Sequence, residues 1–488
     1  MRSKPASPPR PGDCWPSLHA ASNRSSSSSE ILSAMVRTGG KGVVSCISRG
    51  RHLTAWRWIA GPQVSEVSEV TCSLTVVGLG YVGLPLAQEA CLGGMKVTGL
   101  DTDPAVVSGL LNGVSHIDGI DSVDLAVMVE AGFLTTTDPS CIRGSDVVVI
   151  CVPTPLDGDG TPDLNAVKAA ARTVSENLEL GSLVVLESTT YPGTTEDTVR
   201  PLLEDGSRLT AGIDFNLAYS PERIDPGNPE WGLRNTPKIV GGLTPSCTER
   251  AVEFYGQIVD TVVPTVGLRE AEFAKLLENT YRHINIALIN EMAVFCHELG
   301  IDLWGAIDAA ATKPFGFQAF RPGPGIGGHC IPIDPNYLSW VARRVGYRLR
   351  FVELAQEVSE RMPAYVARRT QDALNRLKKP MNGSHIVLAG VTYKANVSDQ
   401  RETPAKPLVV QLREMGADVS YIDPHVDSFV VEGKEVPWIA DIGEAVGSAD
   451  IVVVLQAHDE FLDSTELGAA ECILDTSGKF SGGNVDRL

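Results

Sequence analysis

A glycine-rich turn between two short apolar segments restricts most strongly how this chain can fold. The apolar segment 73–77 leads into Gly78, Gly80 and Gly83, and a second apolar segment follows at 97–100. In this spacing the first glycine makes a tight turn, the second leaves room beside the backbone, and the third lets a helix pack closely on a strand. The pattern predicts a βαβ unit with two parallel strands.

The same turn predicts a ligand. Asp101 follows the second predicted strand, 18 residues after Gly83. A helix that begins at these glycines presents free N–H groups to a phosphate. Asp101 can accept hydrogen bonds from an adenosine ribose, and it would repel a 2′-phosphate. We therefore expect NAD rather than NADP, and the alternative is a glycine turn without any ligand.

Further apolar runs extend the α/β pattern to a second region of the chain. Between Glu270 and Gly300 there is no internal glycine or proline, which predicts one helix of about thirty residues. Such a helix often forms a subunit interface, so we expect a homodimer or a higher homo-oligomer. The predicted fold class is α/β, with two Rossmann-like domains with parallel sheets joined by a long central helix. Other predicted elements are strands at 146–150, 183–186, 385–389, 419–423 and 449–455, and a helix at 404–415.

Four segments follow from this organisation. They are a disordered tail at 1–70, an NAD-binding Rossmann domain at 71–265, a central helical dimerisation region with the Cys330 loop at 266–383, and a second Rossmann-like domain at 384–488. The tail has nine Lys/Arg against four Asp/Glu, whereas the remainder has 32 against 56. We interpret the tail as a disordered extension or as the product of a misassigned start codon.

Charge and cysteine content exclude several classes of partner. The formal net charge of -19 argues against a nucleic-acid partner, although a local cluster of Lys and Arg could bind a small anion. No apolar run is long enough to span a bilayer. The ten cysteines include no C-x-x-C pair, so neither a disulfide framework nor a zinc site is indicated. We expect reduced thiols, no membrane association, no metal and a cytoplasmic location.

Cys330 lies in a loop crowded with glycine and proline at 322–335. Glycines let backbone and ligand approach closely, and prolines restrict the loop. This setting is typical of a nucleophilic thiol. However, most free cysteines are small buried side chains, and the residues alone leave both interpretations open.

Other reactive groups occur in a few short segments. Thr154 and Thr189 follow predicted strands at their carboxyl ends, where ligands bind in open α/β sheets. Lys275, Asn279 and Arg282 share one face of the long helix. On spacing alone the threonines fit ordinary polar loops equally well, and the helix face fits a solvated charged stripe. Two acidic candidates are Glu222, in the segment Ser-Pro-Glu-Arg, which could be an ordinary loop acid, and Asp334, four residues after Cys330.

Five motifs in one order resemble the UDP-glucose/GDP-mannose dehydrogenase family. They are the glycine turn at 78–85, Ser-Pro-Glu-Arg at 220–223, the pair Lys275 and Asn279, Gly-Gly-His-Cys at 327–330, and the segment 393–404. The resemblance extends from about residue 74 to the C terminus. Residues 312–330 are most similar to the UDP-N-acetylglucosamine 6-dehydrogenases, with the UDP-N-acetylmannosamine dehydrogenases as near relatives.

The resemblance implies oxidation of a sugar CH₂OH group to a carboxylate with two NAD⁺ per turnover and without a metal. It implies that Cys330 forms a thiohemiacetal and then a thioester. Lys275 would assist removal of the hydroxyl proton and, with Asn279, stabilise the oxyanions. Glu222 would be the general base for hydrolysis, with Thr154 positioning the water.

The same resemblance implies further roles. Asp334 would orient groups or relay protons near Cys330, and the ammonium of Lys275 should favour the thiolate. The implied substrate contacts are Arg223, Ile224, Lys275, Asn279, Arg282, Gly327 and Lys394. The implied cofactor contacts are Gly78, Gly80, Tyr81, Val82, Gly83, Asp101, Thr154, Thr189 and Arg401, the last from the second domain, which then closes over the first.

The implied reaction is oxidation of UDP-N-acetylglucosamine at C6. The alternatives are UDP-N-acetylmannosamine, UDP-glucose or GDP-mannose as substrate, and an NAD-binding regulatory protein that has kept the fold. Pro226 stands four residues after Glu222, where the UDP-glucose enzymes often carry a second acid, and this favours the hexosamine enzymes. Arg321, just before the Pro/Gly run, could reach the substrate across a dimer.

Overall fold

A computed structural model of the protein describes residues 72–488 except 118, 159, 226, 227 and 229. The predicted tail at 1–70 and Pro226 lie outside the described residues. The α/β fold class is confirmed, and the structure contains two main sheets with parallel strands. None of the described helices is long and apolar enough to cross a bilayer.

The first sheet has eight strands in the order β3-β2-β1-β4-β5-β6-β7-β8. They are β1 Ser73–Val77, β2 Lys96–Leu100, β3 Leu134–Thr136, β4 Val147–Ile150, β5 Leu183–Leu186, β6 Asn216–Tyr219, β7 Lys238–Gly242 and β8 Val262–Pro264. The first six are parallel, in the order typical of dinucleotide-binding sheets. β7 pairs antiparallel with β6. Its first residue therefore lies at the edge where the parallel strands end.

Helices cover both faces of this sheet, which explains the continuous apolar sequence of the central strands. β4 and β5 are buried at every residue. The chain turns back in strand order between β1 and β4, so ligands are expected at their carboxyl ends. The helices are α1 Gly83–Leu92, α2 Pro104–Leu111, α3 Ser122–Glu130, α4 Asn165–Ser175, α5 Arg200–Ser207 and α6 Pro245–Tyr255.

Four helices connect the two sheets: α7 Leu268–Glu298, α8 Leu303–Ala311, α9 Asp334–Arg344 and α10 Arg350–Arg376. The predicted long helix is confirmed, because α7 has 31 residues. The sequence analysis did not identify α10, which has 27 residues and carries Pro363 in its interior. Proline lacks an N–H and usually interrupts a helix, so the sequence around it gives a weak helix signal. α10 packs along α7.

The second sheet has five parallel strands in the order β10-β9-β13-β14-β15. Its strands, with a separate β11–β12 hairpin, are β9 His385–Ala389, β10 Asp418–Ile422, β11 Val430–Val431, β12 Lys434–Glu435, β13 Ile451–Val454, β14 Ile473–Asp475 and β15 Val485–Arg487. The helices are α11 Ala405–Glu414, α12 Ile442–Ser448 and α13 Asp459–Leu462. The predicted strands in both sheets are present, with ends displaced by no more than two residues.

The first strand of each sheet is followed by the same turn. In each turn a glycine N–H donates to the last carbonyl of the neighbouring strand, and the next N–H donates to an aspartate. The distances are 2.8 Å for Gly78–Leu100 and for Leu79–Asp101, 2.9 Å for Gly390–Ile422, and 2.7 Å for Val391–Asp423. In the second sheet the fully buried His458 lies 3.2 Å from Asp423. Only the first of these two turns therefore has an aspartate accessible to a ribose.

Candidate active site

The three glycines after β1 differ in what surrounds them. Gly78 has a φ of +94°, which disfavours any other residue. A Cβ on Gly83 would lie 1.9 Å from the carbonyl oxygen of Gly78, so this glycine is required where α1 packs on the turn. Gly80 has no atom within 4 Å of an added Cβ. This open position lies beside the start of α1, whose N-cap is Val82, and it fits the pyrophosphate of a dinucleotide.

Asp101 is fixed at the end of β2 by two backbone groups. One carboxylate oxygen accepts from the N–H of Leu79 at 2.8 Å, and the other accepts from Asp103 at 2.9 Å. An ionised carboxylate has about four lone-pair positions, so acceptor capacity remains for ribose hydroxyls. The carboxylate is partly exposed. Its placement agrees with the predicted ribose contact.

Arg401 joins the segment after β9 to the glycine turn. Its guanidinium carbon lies 4.7 Å from the centre of the Tyr81 ring, a cation–π distance. Asp399 holds the same guanidinium in an ion pair at 2.6 Å. The structure thus brings Arg401 to the cofactor turn, where the sequence analysis expected it.

The loop that carries Cys330 packs against the segment after β9. A Cβ on Gly327 would lie 2.7 Å from the Cβ of Tyr393, and one on Gly328 would lie 2.9 Å from the Tyr393 ring. From the sequence, the glycines of this loop were expected to allow close approach of a ligand. For these two positions the structure gives a different reason, because Tyr393 occupies the space.

The Cys330 side chain is exposed to solvent, which excludes the interpretation as a buried core thiol. Its carbonyl oxygen accepts from the N–H of Asp334, so the thiol lies just before the start of α9. Surrounding protein nevertheless raises the pKa of Cys330. Lys275, Arg401 and Arg282 oppose this effect, while Asp334 adds to it. The predicted influence of Lys275 has the expected sign, but desolvation of the thiol by the protein atoms around it outweighs this influence.

Lys275 and Asn279 extend from α7 toward this loop. The side-chain amide of Asn279 donates to Asp334 at 2.5 Å, and the ammonium of Lys275 donates to the carbonyl of Glu222 at 2.5 Å. Burial raises the pKa of Asp334 to about 6, against the opposing effects of Lys275 and Asn279. The carboxyl group beside Cys330 can therefore exchange a proton near neutral pH.

Glu222 is held as a carboxylate by three donors. One oxygen accepts from the backbone N–H groups of Arg223 and Ile224, both at 2.6 Å. The other accepts from the ammonium of Lys238 at 3.0 Å. Burial alone would raise the pKa of Glu222, but Lys238, these hydrogen bonds and Lys275 lower it overall. Glu222 is thus ionised at neutral pH.

Thr154 connects three of the predicted segments. Its hydroxyl donates to the carbonyl of Thr189 at 2.7 Å, joining the loops that follow β4 and β5. The hydroxyl of Tyr337 on α9 donates to the carbonyl of Thr154 at 2.5 Å. The hydroxyl oxygen of Thr154 keeps acceptor capacity, so it can still receive a hydrogen bond from a water molecule.

Two of the predicted substrate cations have acidic partners within the chain. Arg223 pairs with Glu278 of α7 at 2.7 Å, and Lys394 pairs with Asp225 at 2.8 Å. Arg282 is exposed on α7. Glu278 and Asp225 hold the two paired cations in place. A bound diphosphate would either share these cations with the two acids or displace the acids from them.

Three buried residues near Glu222 were not among the predicted site residues. They are Glu187, directly after β5, Lys238, at the start of β7, and Tyr255, at the end of α6. Charged residues next to apolar strands were a signal available in the sequence. Their convergence depends on the antiparallel direction of β7, which a local pattern does not show.

Comparison with known proteins agrees with this arrangement. Models of the UDP-glucose/GDP-mannose dehydrogenase family match at residues 72–259 (NAD binding domain), 269–361 (central domain) and 387–481 (UDP binding domain). The UDP-N-acetyl-D-glucosamine 6-dehydrogenase of Pseudomonas aeruginosa is 35% identical over 410 residues, which is 82% of this chain and 95% of that protein. An NDP-N-acetyl-D-galactosaminuronic acid dehydrogenase of Ralstonia nicotianae is 35% identical over 423 residues, covering 84% and 96%.

A solved structure gives the same picture. The UDP-D-ManNAc dehydrogenase of Pyrococcus horikoshii is 32% identical, superposes with a TM-score of 0.78, and covers 85% of this chain and 99% of its own. The family matches together extend over most of the described residues. The chain therefore belongs to the UDP-glucose/GDP-mannose dehydrogenase family, as its motifs predicted, and is an NAD-dependent oxidoreductase.

Proposed function

We propose that the protein oxidises the C6 hydroxyl of UDP-N-acetylglucosamine to a carboxylate in two NAD-dependent steps. The observation that carries the proposal is the position of exposed Cys330 beside Asp334, with Lys275 and Asn279 extending from α7. The similarity of the chain to a UDP-N-acetyl-D-glucosamine 6-dehydrogenase supports this sugar. Relatives that act on other N-acetylated sugars are about equally similar, and UDP-N-acetylmannosamine is the second candidate.

In the first half of the reaction the chain's residues manage protons and negative charge. NAD, when bound, would take up the hydride that leaves C6 in each oxidation. In the first oxidation a base assisted by Lys275 takes the proton of the C6 hydroxyl, which leaves the aldehyde. The Cys330 thiol transfers its proton to Asp334, and the sulfur adds to the aldehyde carbon. The ammonium of Lys275 and the second amide N–H of Asn279 stabilise the oxyanion that forms. The resulting thiohemiacetal keeps the intermediate bound to the enzyme.

Loss of the second hydride from this adduct gives a thioester on Cys330, which water must cleave. Glu222, ionised at neutral pH, takes a proton from a water molecule that Thr154 helps to position. The hydroxide adds to the thioester carbon, and the oxyanion again faces Lys275 and Asn279. The C–S bond then breaks, which releases the uronate, and Asp334 returns the proton it took to the sulfur, which regenerates the thiol.

The remaining predicted residues would bind the substrate and the cofactor. Arg223, Arg282 and Lys394 supply cations for the diphosphate, and Lys394 lies within the region matched by the UDP binding model. Ile224 and Gly327 would line the sugar site. Contacts to NAD are proposed for Gly78, Gly80, Tyr81, Val82, Gly83, Asp101, Thr154, Thr189 and Arg401.

We further infer three domains, at 71–265, 266–383 and 384–488, of which the first is described from residue 72, and a homodimer. The outer face of α7 supports the dimer. Large apolar side chains recur there at helical spacing and are exposed: Phe273, Leu277, Tyr281, Leu288, Phe295 and Leu299. A second copy of the chain would cover this stripe. A cytoplasmic location remains a prediction.

A panel of nucleotide sugars tests the proposed function. Purified protein with NAD is offered UDP-N-acetylglucosamine and the UDP forms of N-acetylmannosamine, N-acetylgalactosamine and glucose, together with GDP-mannose. NADH and the uronate product are quantified. We expect the highest kcat/KM with UDP-N-acetylglucosamine and two NADH per uronate. A higher value with another sugar would reassign the substrate, and no turnover with any of them would contradict the enzymatic reading.

A further inference from the structure

A buried cluster of charges lies directly behind Glu222 and takes no part in the steps above. The ammonium of Lys238 lies 3.0 Å from one oxygen of Glu222 and 3.1 Å from one oxygen of Glu187. The Tyr255 hydroxyl donates to the same oxygen of Glu187. Lys238 is 3% exposed and Glu187 is 1% exposed, so water does not screen these charges.

The cluster exists because of the direction of β7. Glu187 and Glu222 follow the parallel strands β5 and β6 at their carboxyl edge. Lys238 is the first residue of β7, and the antiparallel pairing with β6 places that first residue at the same edge. A parallel β7 would have placed Lys238 at the opposite edge of the sheet. The antiparallel direction of β7 therefore places the buried ammonium of Lys238 next to Glu222.

Lys238 affects the two carboxyl groups differently. Burial raises the pKa of Glu187 overall, even though Lys238 opposes the shift. For Glu222, Lys238 and the backbone donors outweigh burial and the pKa is lowered. The lone-pair positions of Glu222 are also largely used. Two on one oxygen face backbone N–H groups, and one on the other oxygen faces Lys238. Of about four positions, the one left to accept from water is on the oxygen that Lys238 holds.

We propose that Lys238 is a positioning residue for the hydrolysis step: it keeps Glu222 ionised and directs the remaining lone pair of that carboxylate toward the attacking water. Glu187, hydrogen-bonded to Tyr255, holds Lys238 in place from the other side. The inference rests on the proposed role of Glu222 as the general base. It assigns to Lys238, which does not contact the substrate, control over both the charge of the Glu222 carboxylate and the direction of its remaining lone pair.

The test separates hydrolysis from oxidation. With the substrate identified in the panel, rapid mixing should give a fast phase of NADH production from thioester formation and a slower steady phase limited by hydrolysis. Lys238→Met should keep the fast phase and slow the steady phase by about 10²-fold at neutral pH. The steady rate falls at low pH as Glu222 becomes protonated, and we call this part of the pH profile the acid limb. In Lys238→Met the acid limb should move to higher pH, because Glu222 without its cation protonates more easily. Lys238→Arg, which keeps the charge, should leave the acid limb near its wild-type position.

The groups that face Glu222 must be considered in reading this profile. They are Lys238 from β7, Glu187 after β5, Cys151 after β4 and Lys275 from α7, while Tyr255 from α6 acts on Glu187. Lys238→Arg alters none of their charges, so it controls for their titration. An acid limb that is unchanged in a folded Lys238→Met variant would overturn the proposal.

Two further variants control for misfolding of Lys238→Met and for the assignment of Glu222 as the general base. Lys238→Met leaves Glu187 without its cation and could unfold the chain, so the double variant Lys238→Met, Glu187→Gln is measured alongside by circular dichroism and kinetics. The double variant should show the same shift of the acid limb, and an unshifted limb overturns the proposal. Glu222→Gln tests the base itself. If it hydrolyses the thioester at the wild-type rate, the assignment of Glu222 fails. If it blocks hydrolysis while the Lys238 variants show no shift, only the positioning role fails.

Discussion

At Cys330, desolvation by the surrounding protein and the neighbouring charges act on the thiol in opposite directions. Desolvation raises its pKa, whereas the cations of Lys275, Arg401 and Arg282 lower it, and the net shift is upward. The resting group is therefore a thiol, and the attack proposed above requires a base. We propose Asp334, whose pKa is raised to about 6, for that role.

Replacing Cys330 by serine tests the covalent intermediate. A hydroxyl is a much weaker nucleophile than a thiolate, so Cys330→Ser should complete the first oxidation and stop before the thioester. We expect a single NADH equivalent per site and no uronate, measured by NADH fluorescence and product chromatography. Cys472→Ser, a change of the same kind in the second sheet's region, should behave as wild type. Uronate formation at the wild-type rate by Cys330→Ser would exclude covalent catalysis.

The raised pKa of Asp334 predicts how its contribution to stability depends on pH. Burial raises this pKa from an ordinary 3.8 to about 6, so the folded state holds a proton that the unfolded state has already lost. Unfolding free energy should therefore fall as pH rises between these two values and stay lower above them, by about 3 kcal/mol for this group. Urea unfolding of wild type and Asp334→Asn at pH 5 and pH 8 isolates the part of the effect above pH 5, about 1.4 kcal/mol, because the pKa of about 6 lies one unit above that pH. A difference between the two proteins that does not change with pH would contradict it.

At the scale of single residues, the sequence singled out side chains that contact one another in the structure, such as Asn279 with Asp334 and Lys275 with Glu222, but not the local packing around them. The spacing of Lys275 and Asn279 on a helix is visible in any helical pattern. The reason for the glycines at 327 and 328 is not visible in the sequence. They accommodate the ring of Tyr393, which lies in the distant segment after β9.

Among the secondary-structure elements, α9 links the thiol to the cofactor half of the site. It begins four residues after Cys330, and its Tyr337 hydroxyl donates to the carbonyl of Thr154. The elements with clear patterns, such as β1, β5 and α7, were predicted. The strands β3, β6, β7 and β8 were not, since segments of three to five residues carry little periodic signal. The direction of β7 was also beyond a local pattern, because pairing direction depends on distant partners.

Tyr337→Phe tests this link between elements. Removing one buried hydroxyl should cost about 1 kcal/mol of folding free energy, because the Thr154 carbonyl loses the hydrogen bond from Tyr337. We expect kcat to fall while KM for both substrates stays close to wild type, because the loop that Thr154 occupies would be less well aligned with Cys330. Tyr347→Phe, an exposed tyrosine just after α9, is the matched control. Equal kinetics for the two variants would show that the hydrogen bond has no role in alignment.

For the molecule as a whole, the exposed apolar stripe on α7 predicts assembly. Side chains such as Leu277 and Leu288 are half exposed on the described chain. Charging both should prevent a second copy from packing on the helix. We expect wild type to elute as a dimer and Leu277→Lys, Leu288→Glu to elute as a monomer in size-exclusion chromatography with light scattering. Leu180→Lys, exposed far along the sequence from α7, is the control. A dimeric double variant would place the interface elsewhere.

The contact of Gly327 and Gly328 with Tyr393 joins parts of the chain about sixty residues apart. A break in the turn between α10 and β9 would separate the reactive thiol from the wall of its own loop. Each fragment would carry an incomplete site, and catalysis would return only when both fragments met again. The two fragments would therefore serve as a split reporter, because NADH production would recover only when the two polypeptides associate.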